Sequence, residues 1–398
     1  MTVVTRAATD AFLYDQVTRH ILDLVEKGTL KPGDRAPSLR GLSRQLRVSI
    51  STVSQAYAAL QELGVLRVRP QSGYFVDAQV ERQQRSQPPR KTTVSRQPRK
   101  VRFGELFEEI FNVANDPEVV PLGAAVPGHL LMPVKGLLRA TQRAAARQPE
   151  RALDYCFPPG NADLRYEIAR RYVGLGLSVD PANVIITSGC SEALALSLET
   201  VTRRGDIVAV ESPTYFSVLR LIERMGLLAV EIDSDPETGL CLDALENAIE
   251  TMEIKAVVAV LNFSNPVGSL MPDAHKERLV GMLTQAGIPL IEDDIYGDLH
   301  FGEQRPAIGK CYDREGIVLT CSSFSKTIAP GYRIGWVIAD RYRDDLLEWK
   351  QATSSAMCSL PQMAMADYLR SGEYDRHLVR LRQHKSHLVD LQTIVLAQ

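Results

Sequence analysis

With 398 residues, 45% of them hydrophobic and 24% charged, the chain has the composition of a soluble globular protein and the length for two or three domains, one with a sizeable core. A formal net charge of -2 excludes no class of partner, because a basic nucleic-acid-binding end can be offset by an acidic remainder. No apolar run approaches membrane-spanning length, and the amino terminus lacks a basic stretch followed by an apolar one, so no membrane segment and a cytoplasmic location are expected.

From Asp10 to about Lys27 the apolar residues Phe12, Leu13, Val17, Ile21, Leu22, Leu24 and Val25 recur mostly at three and four, the spacing of an amphipathic helix. Gly28 and Pro32-Gly33 stop it. Ser38 is placed to cap a short helix that buries Leu42 and Leu46. Val48-Ser49 reads as a turn, Ser51 to Leu60 as a second helix ending near Gly64, and Val65 to Val76 as a hairpin with turn residues in its middle. Helix, two short helices and hairpin is the order of a winged helix-turn-helix, a fold that sets its second helix in the major groove.

This stretch resembles the GntR family of bacterial repressors in its serine-arginine, Val48-Ser49, Thr52-Val53 and Ala56-Tyr57 pairs and in its glycine-containing wing. The resemblance implies a domain over 10–78 that binds double-stranded DNA. Phosphate contacts would come from Arg40, Ser49, Thr52 and the wing at Ser72 and Gly73, strengthened by Arg67 and Arg69. Base-edge contacts would fall to Ser51, Ser54 and Gln55. The family commonly has an arginine after valine-serine; Ile50 stands there, and an isoleucine meets a thymine methyl but not the two acceptors of guanine. A small helical cap on an enzyme is the alternative reading of these elements.

Residues 79–102 turn to Gln, Arg, Lys, Pro and Ser with little to bury, and read as a basic flexible linker, its cations either grazing DNA phosphates or simply solvated. From 103 to 398 the chain is globular again. Val184 to Leu194 is strand, glycine turn and helix, and backbone amides at that helix start suit an anion, beside Ser188, Cys190 and Ser191. Ile207 to Tyr215 is a strand ending in an aromatic residue. Further apolar strands end at Asn262-Phe263-Ser264-Asn265, at Glu292-Asp293-Asp294-Ile295-Tyr296 and at Ser323-Phe324-Ser325-Lys326.

A lysine held at a strand end can be desolvated, which favours the neutral amine that attacks a carbonyl. Hydroxyls at Ser323 and Ser325, with Arg333 beyond, offer a phosphate two donors and a planar cation. Alone, an S-x-S-K run is more often the mark of an ordinary loop lysine. Alternating strands and helices from about Val184 to Ala339 predict an α/β fold with a largely parallel sheet covered on both faces and a site at the carboxyl ends of its strands.

Taken together, these stretches resemble the fold-type I pyridoxal-phosphate-dependent aminotransferases. The resemblance implies pyridoxal 5'-phosphate as cofactor, with Lys326 as the Schiff-base lysine, Asp293 at the pyridine nitrogen, and Asn265 and Tyr296 at the ring oxygen. Tyr215 would stack on the ring, and Ser323 and Arg333 would hold the phosphate. Tyr155, in Tyr155-Cys156-Phe157-Pro158-Pro159-Gly160, matches a tyrosine that reaches the phosphate of the neighbouring subunit, and so marks a homodimer. A winged helix joined to such a domain is the arrangement of the MocR subfamily of GntR regulators.

Few residues follow Lys326. Leu360 to Gln398 reads as helix, with Leu378, Leu381, Leu388, Leu391 and Ile394 at mostly helical spacing, so the small carboxyl-terminal domain is expected to be truncated. No arginine that would grip a substrate α-carboxylate is recognised; Arg376, Arg380 and Arg382 read as a solvated face. The expected function is a DNA-binding transcription regulator whose aminotransferase-like domain captures the cofactor and senses a small amine or amino acid. An active aminotransferase carrying a DNA-binding module is the alternative, and a shortened chain with only the winged helix competent is a third reading. The six cysteines are scattered, without a C-x-x-C or a histidine cluster, and predict reduced thiols and no metal.

Overall fold

The computed structural model describes residues 16–25, 29–31, 33–62, 65–69, 73–77, 97–102, 128 and 131–383. These fall into two compact units, 16–77 and 97–383.

The first unit is a winged helix-turn-helix. Helix α1 (16–25) is followed by α2 (Leu39–Leu46), α3 (Ile50–Glu62) and the antiparallel strands β1 (Leu66–Arg69) and β2 (Gly73–Val76). Their shared core is Val17, Ile21, Leu42, Val53, Tyr57 and Leu60, with Leu46 half-buried at its edge. Ser38 caps α2 by accepting from the Gly41 amide at 3.1 Å. Arg47, in the left-handed region at φ 55°, ends that helix. Ser49 then starts α3, its Oγ accepting from the Thr52 amide at 3.0 Å. The short turn between α2 and α3 therefore has a stop on one side and a start on the other. Ser72, expected at the wing tip, lies outside the described residues.

The second unit opens with residues 97–102. Arg99, expected in the free linker, is instead paired with Ala229 through two backbone bonds of 3.0 Å and with Glu231 through a 2.5 Å ion pair. The described elements that follow are α4 (Val134–Arg147), β3 (Tyr155–Cys156), α5 (Ala162–Tyr172), β4 (Val184–Thr187), α6 (Cys190–Val201), β5 (Ile207–Ser212), α7 (Phe216–Met225), β6 (Leu228–Asp235) and β7 (Gly239–Leu240). After them come α8 (Leu242–Thr251), β8 (Ile254–Ala259), α9 (Asp273–Ala286), β9 (Leu290–Asp293), β10 (Val318–Ser323), β11 (Gly335–Ile338), α10 (Arg343–Ser354), β12 (Met357–Cys358) and α11 (Ser359–Arg370).

Eight strands form one sheet in the order β4-β11-β10-β9-β8-β5-β6-β7. Pairs from β10 through β9, β8 and β5 to β6 are parallel, while β11 runs against both β10 and β4. Successive residues of a strand point to opposite faces, and both faces are covered. Ile185, Val208, Val210, Ile291 and Leu319 pack on one side with Ala193, Leu194 and Leu346 from α6 and α10. On the other side, Ala209, Val257, Leu290 and Val318 meet Leu245 of α8 and Leu279 and Leu283 of α9. Near β4 and β11 that same face is covered by Leu137, Leu164, Ile168, Met365 and Leu369.

The helix expected from Leu360 onward is two. After α11, Gly372 at φ 68° breaks the helix, and α12 (373–383) turns back to bury Tyr374, His377, Leu378 and Leu381. Leu388, Leu391 and Ile394, and with them the carboxyl-terminal end of the expected truncated domain, lie outside the described residues.

Candidate functional site

Lys326 sits in a turn fixed from beneath. Phe324, 1% exposed, packs its ring 4.7 Å from that of Trp336 and 5.5 Å from that of Tyr374. Its carbonyl collects the amides of Thr327, Ile328 and Ala329 at 3.3, 2.8 and 3.3 Å, which closes the chain tightly around the lysine. From the far side, α12 grips the next residue: Tyr374 Oη lies 3.1 Å from Thr327 Oγ1, and His377 Nε2 lies 2.7 Å from the Thr327 carbonyl. Burial holds the Lys326 ammonium below the ordinary lysine range, against the pull of Asp293.

Asp293 closes β9, whose register places it beside Cys321 of β10. Its Oδ1 accepts from the Cys190 thiol at 3.3 Å and from the Ile295 amide at 3.1 Å. Burial raises its carboxyl to about 6, although those two donors favour the ionised form. Asn265 Nδ2 donates to Tyr296 Oη at 3.2 Å, so the two groups expected at one ring oxygen do converge. Burial, then Asp293, pushes the Tyr296 phenol up to about 12, which keeps it a donor at neutral pH. Lys326, Asp293, Asn265, Tyr296 and Tyr215 line one cleft of about 690 Å³, counted with its open mouth, and Cys190, Ser191, Ser323 and Arg333 complete its wall.

The end of that cleft is shaped for an anion. Helix α6 has no side-chain cap at its start, where Gly189 stands at φ 82° and ψ 173°, so its first amides are left for another acceptor. A Cβ on Gly189 would overlap the Arg333 guanidinium, with Cζ only 2.9 Å away, and a Cβ on Gly335 would come within 2.5 Å of the Gly189 carbonyl carbon. Both glycines are thus required for β11, Arg333 and the turn to lie against one another. Gly189→Ala is expected to destabilise the protein by about 2 kcal/mol, from a backbone region open essentially to glycine alone, and to displace Arg333. Urea unfolding beside phosphate binding measures the two effects.

Two expected positions differ from their placement, and a third, Tyr155, expected at a neighbouring subunit's phosphate, is exposed in its own chain. The Ser188 backbone is not open: its amide donates to Glu192 Oε2 at 2.5 Å and its carbonyl accepts from Arg333 Nη2 at 2.7 Å. Cys190 directs its thiol to Asp293 rather than to the anion end. Tyr155 is 74% exposed, pairs through β3 with Cys358 of β12 and does not line the cleft of its own chain.

Sequence reading also missed the supports. Lys350, fully buried, bonds both oxygens of Glu192 at 2.9 and 2.7 Å, and Ser354 adds a third bond at 2.6 Å. Next in the chain to Asp293, Asp294 pairs with Arg305, which also pairs at 2.7 Å with Asp298, and Asp298 accepts from Tyr374 at 2.8 Å. Burial works to raise the Asp298 carboxyl, but Arg305 and Arg171 hold it at about 2. Lys350 and Ser354 lie far from Glu192 in sequence, and Tyr374 far from Asp298, so no local pattern announced these bonds.

In the first unit, Arg40, Ser49, Ser51, Ser54, Gln55 and Arg69 are exposed on or beside α2, α3 and β1, while Arg67 and Gly73 are half-buried. Ile50 opens α3 at 49% exposure. Thr52, expected at a DNA phosphate, is 2% exposed, with its hydroxyl 2.7 Å from Ser49 Oγ. Its place is in the helix start rather than at a ligand.

Residues 117–390 match the aminotransferase class I and II family, and residues 13–76 match the gntR family of bacterial regulatory proteins. The HTH-type transcriptional regulator YjiR of Escherichia coli is 38% identical over 93% of this chain and 78% of its own length. The chain belongs to the MocR-type GntR regulators. This regulator therefore joins a DNA-binding winged helix to an aminotransferase-like domain. Kynurenine aminotransferase of Pyrococcus horikoshii, solved in complex with PMP, shares 26% identity at a TM-score of 0.65 over 71% of each chain. LysN, the α-aminoadipate aminotransferase of Thermus thermophilus, solved with N-(5'-phosphopyridoxyl)-L-leucine, shares 27% identity at a TM-score of 0.61 over 71% of this chain and 74% of that one. No helix among the regulator's described residues is long and apolar enough to cross a membrane, and none of its six cysteines is in a disulfide.

Proposed function

We propose that the cleft of this MocR-type regulator takes pyridoxal 5'-phosphate and that a small amine or amino acid, arriving there, alters how the protein holds DNA. The observation that carries this is the convergence of Lys326, Asp293 and the Asn265–Tyr296 pair, from three separate strand ends, beside an uncapped helix start crossed by Arg333. The buried carboxylate, the paired donors and the glycine-lined anion end fit a phosphorylated pyridine aldehyde. When bound, that cofactor supplies an aldehyde able to condense with an amine and a ring that draws electrons.

The chain's own groups divide the work. Lys326, depressed by burial, offers a neutral amine to the aldehyde carbon. Asp293 holds a proton on the ring nitrogen, and Tyr296 and Asn265 donate to the ring oxygen. Tyr215 covers a ring face, while Ser323, Ser191, Arg333 and the α6 amides take the phosphate. Tyr155 serves a second copy: it is exposed beside Phe157, with ring centroids 5.7 Å apart, and Leu153 nearby is 90% exposed, an apolar surface suited to a homodimer. On the DNA side, Ser51, Ser54, Gln55 and Ile50 meet base edges, while Arg40, Ser49, Arg67, Arg69, Ser72 and Gly73 serve phosphates. The location is cytoplasmic.

The test is the affinity of the cofactor-loaded protein for its operator DNA, with and without each of a panel of amines and amino acids. An affinity change in the native protein, absent in Lys326→Ala, is the expected result; the same affinity throughout overturns the sensing role. A second reading, turnover of an amino donor, is favoured by the same depressed lysine, which suits proton transfer as well as attachment. It requires keto-acid-dependent loss of the donor, abolished in Lys326→Ala.

A further inference from the structure

We infer that Cys190 is a positioning residue: its thiol proton fixes the Asp293 carboxylate, holding it ionised and aiming its second oxygen at the cofactor nitrogen. This rests on the reading of the cleft as a pyridoxal phosphate site.

The argument starts from the two oxygens. Oδ1 of Asp293 is filled, by the Cys190 thiol at 3.3 Å and by the Ile295 amide at 3.1 Å, which leaves Oδ2 for the cleft that Asp293 lines. Asp293 is 4% exposed and lines the cleft, so what its second oxygen meets arrives through that cleft. Facing Asp293 are the thiols of Cys190 and Cys321, the carboxyls of Asp294 and Glu211, the Lys326 amine and the phenols of Tyr215 and Tyr296. Of these side chains, Cys190 donates to it, while Cys321 Sγ lies 3.3 Å from Ser197 Oγ.

A thiol suits this position for two reasons. Burial, then the negative charge of Asp293, pushes the Cys190 thiol well above its ordinary range, so it stays protonated and remains a donor whatever the state of its neighbour. It is also a weak donor, which steadies the carboxylate without neutralising the charge that the ring nitrogen needs. Because Cys190 is the first residue of α6, its backbone serves the anion end while its side chain serves the ring end. One residue would thereby set the distance between the two grips.

The experiment compares the native protein with Cys190→Ala and Cys190→Ser, both of which keep the backbone amide. Pyridoxal phosphate dissociation constants are measured from pH 5 to pH 8. The cofactor's own titrations are common to all three proteins, so differences report the protein. Affinity should fall on the acid side as Asp293 takes up a proton. In Cys190→Ala that limb is expected to move up by roughly half a pH unit, the size of one weak hydrogen bond, giving about twofold weaker binding near pH 6 and about threefold well below it. Cys190→Ser should bring it back to or below the native position. An unmoved limb in Cys190→Ala, or no recovery in Cys190→Ser, overturns the thiol's role while leaving the cofactor reading intact. Absence of binding by the native protein overturns the reading of the cleft and this role with it.

Discussion

Asp293→Asn is expected to make the cofactor-free protein more stable at neutral pH while stripping the cleft of its hold on a protonated ring nitrogen. The buried carboxyl is raised from the ordinary 3.8 to about 6. Between those values the folded state binds more protons than the unfolded one. The contribution of this group to stability is therefore fully present below about pH 4, declines as pH rises toward 6, and is lost above it. The two-unit difference corresponds to about 3 kcal/mol at pH 7, which an amide that cannot ionise would recover in large part. Urea unfolding should show Asp293→Asn ahead of the native protein at pH 7 and level with it at pH 4. A gap of the same size at both pH values would contradict the assignment. Cofactor affinity should move the other way, weakening by about tenfold or more with the loss of a charge-assisted bond. A residue that costs stability in the empty protein and gains affinity in the filled one is what a binding site, rather than a packing position, is expected to contain.

Lys350→Met is expected to destabilise the protein by about 3 kcal/mol, the low end of the range for breaking a buried pair. Lys350 is fully buried, and its partner Glu192 keeps 22% of its side-chain exposure, so water relieves part of the loss. Although burial works to raise it, the Glu192 carboxyl is held below its ordinary value by Lys350, Ser354 and the Ser188 amide. A depressed carboxyl stabilises the fold above its unfolded pKa, and that contribution disappears as pH falls through the folded one. The penalty of Lys350→Met should therefore shrink in acid, and adding Glu192→Gln should relieve much of it at pH 7, because no unpaired charge remains. Chemical unfolding of the two single variants and the double variant measures this coupling. Since Glu192 also bonds the Ser188 amide, loosening it should weaken phosphate binding at Gly189 and Arg333.

What the sequence disclosed followed from periodicity and punctuation. Buried parallel strands read as apolar runs, and their ends were visible because polar residues interrupt them at Asn265, Asp293 and Lys326; topology then brought those ends into one cleft. The winged helix was legible for a similar reason, since Ser38 and Ser49 mark helix starts that do exist. Contacts between distant segments were not legible. Nothing local tells that Lys350 reaches Glu192, or that Tyr374 and His377 hold Thr327. The thiol of Cys190 reads as one more small group at a helix start until β9 places a carboxylate beside it. Likewise, Leu378 and Leu381 kept their helical spacing, but the break at Gly372 that turns α12 toward Thr327 depends on a single residue's backbone freedom.

The central claim is that the amine of Lys326 captures a phosphorylated pyridine aldehyde beside Asp293. Titrating pyridoxal phosphate into the native protein and into Lys326→Ala, with the absorbance spectrum followed throughout, tests it most directly. The native protein should develop a saturable band near the visible edge that Lys326→Ala lacks. No band in the native protein, or the same band in both, would contradict it.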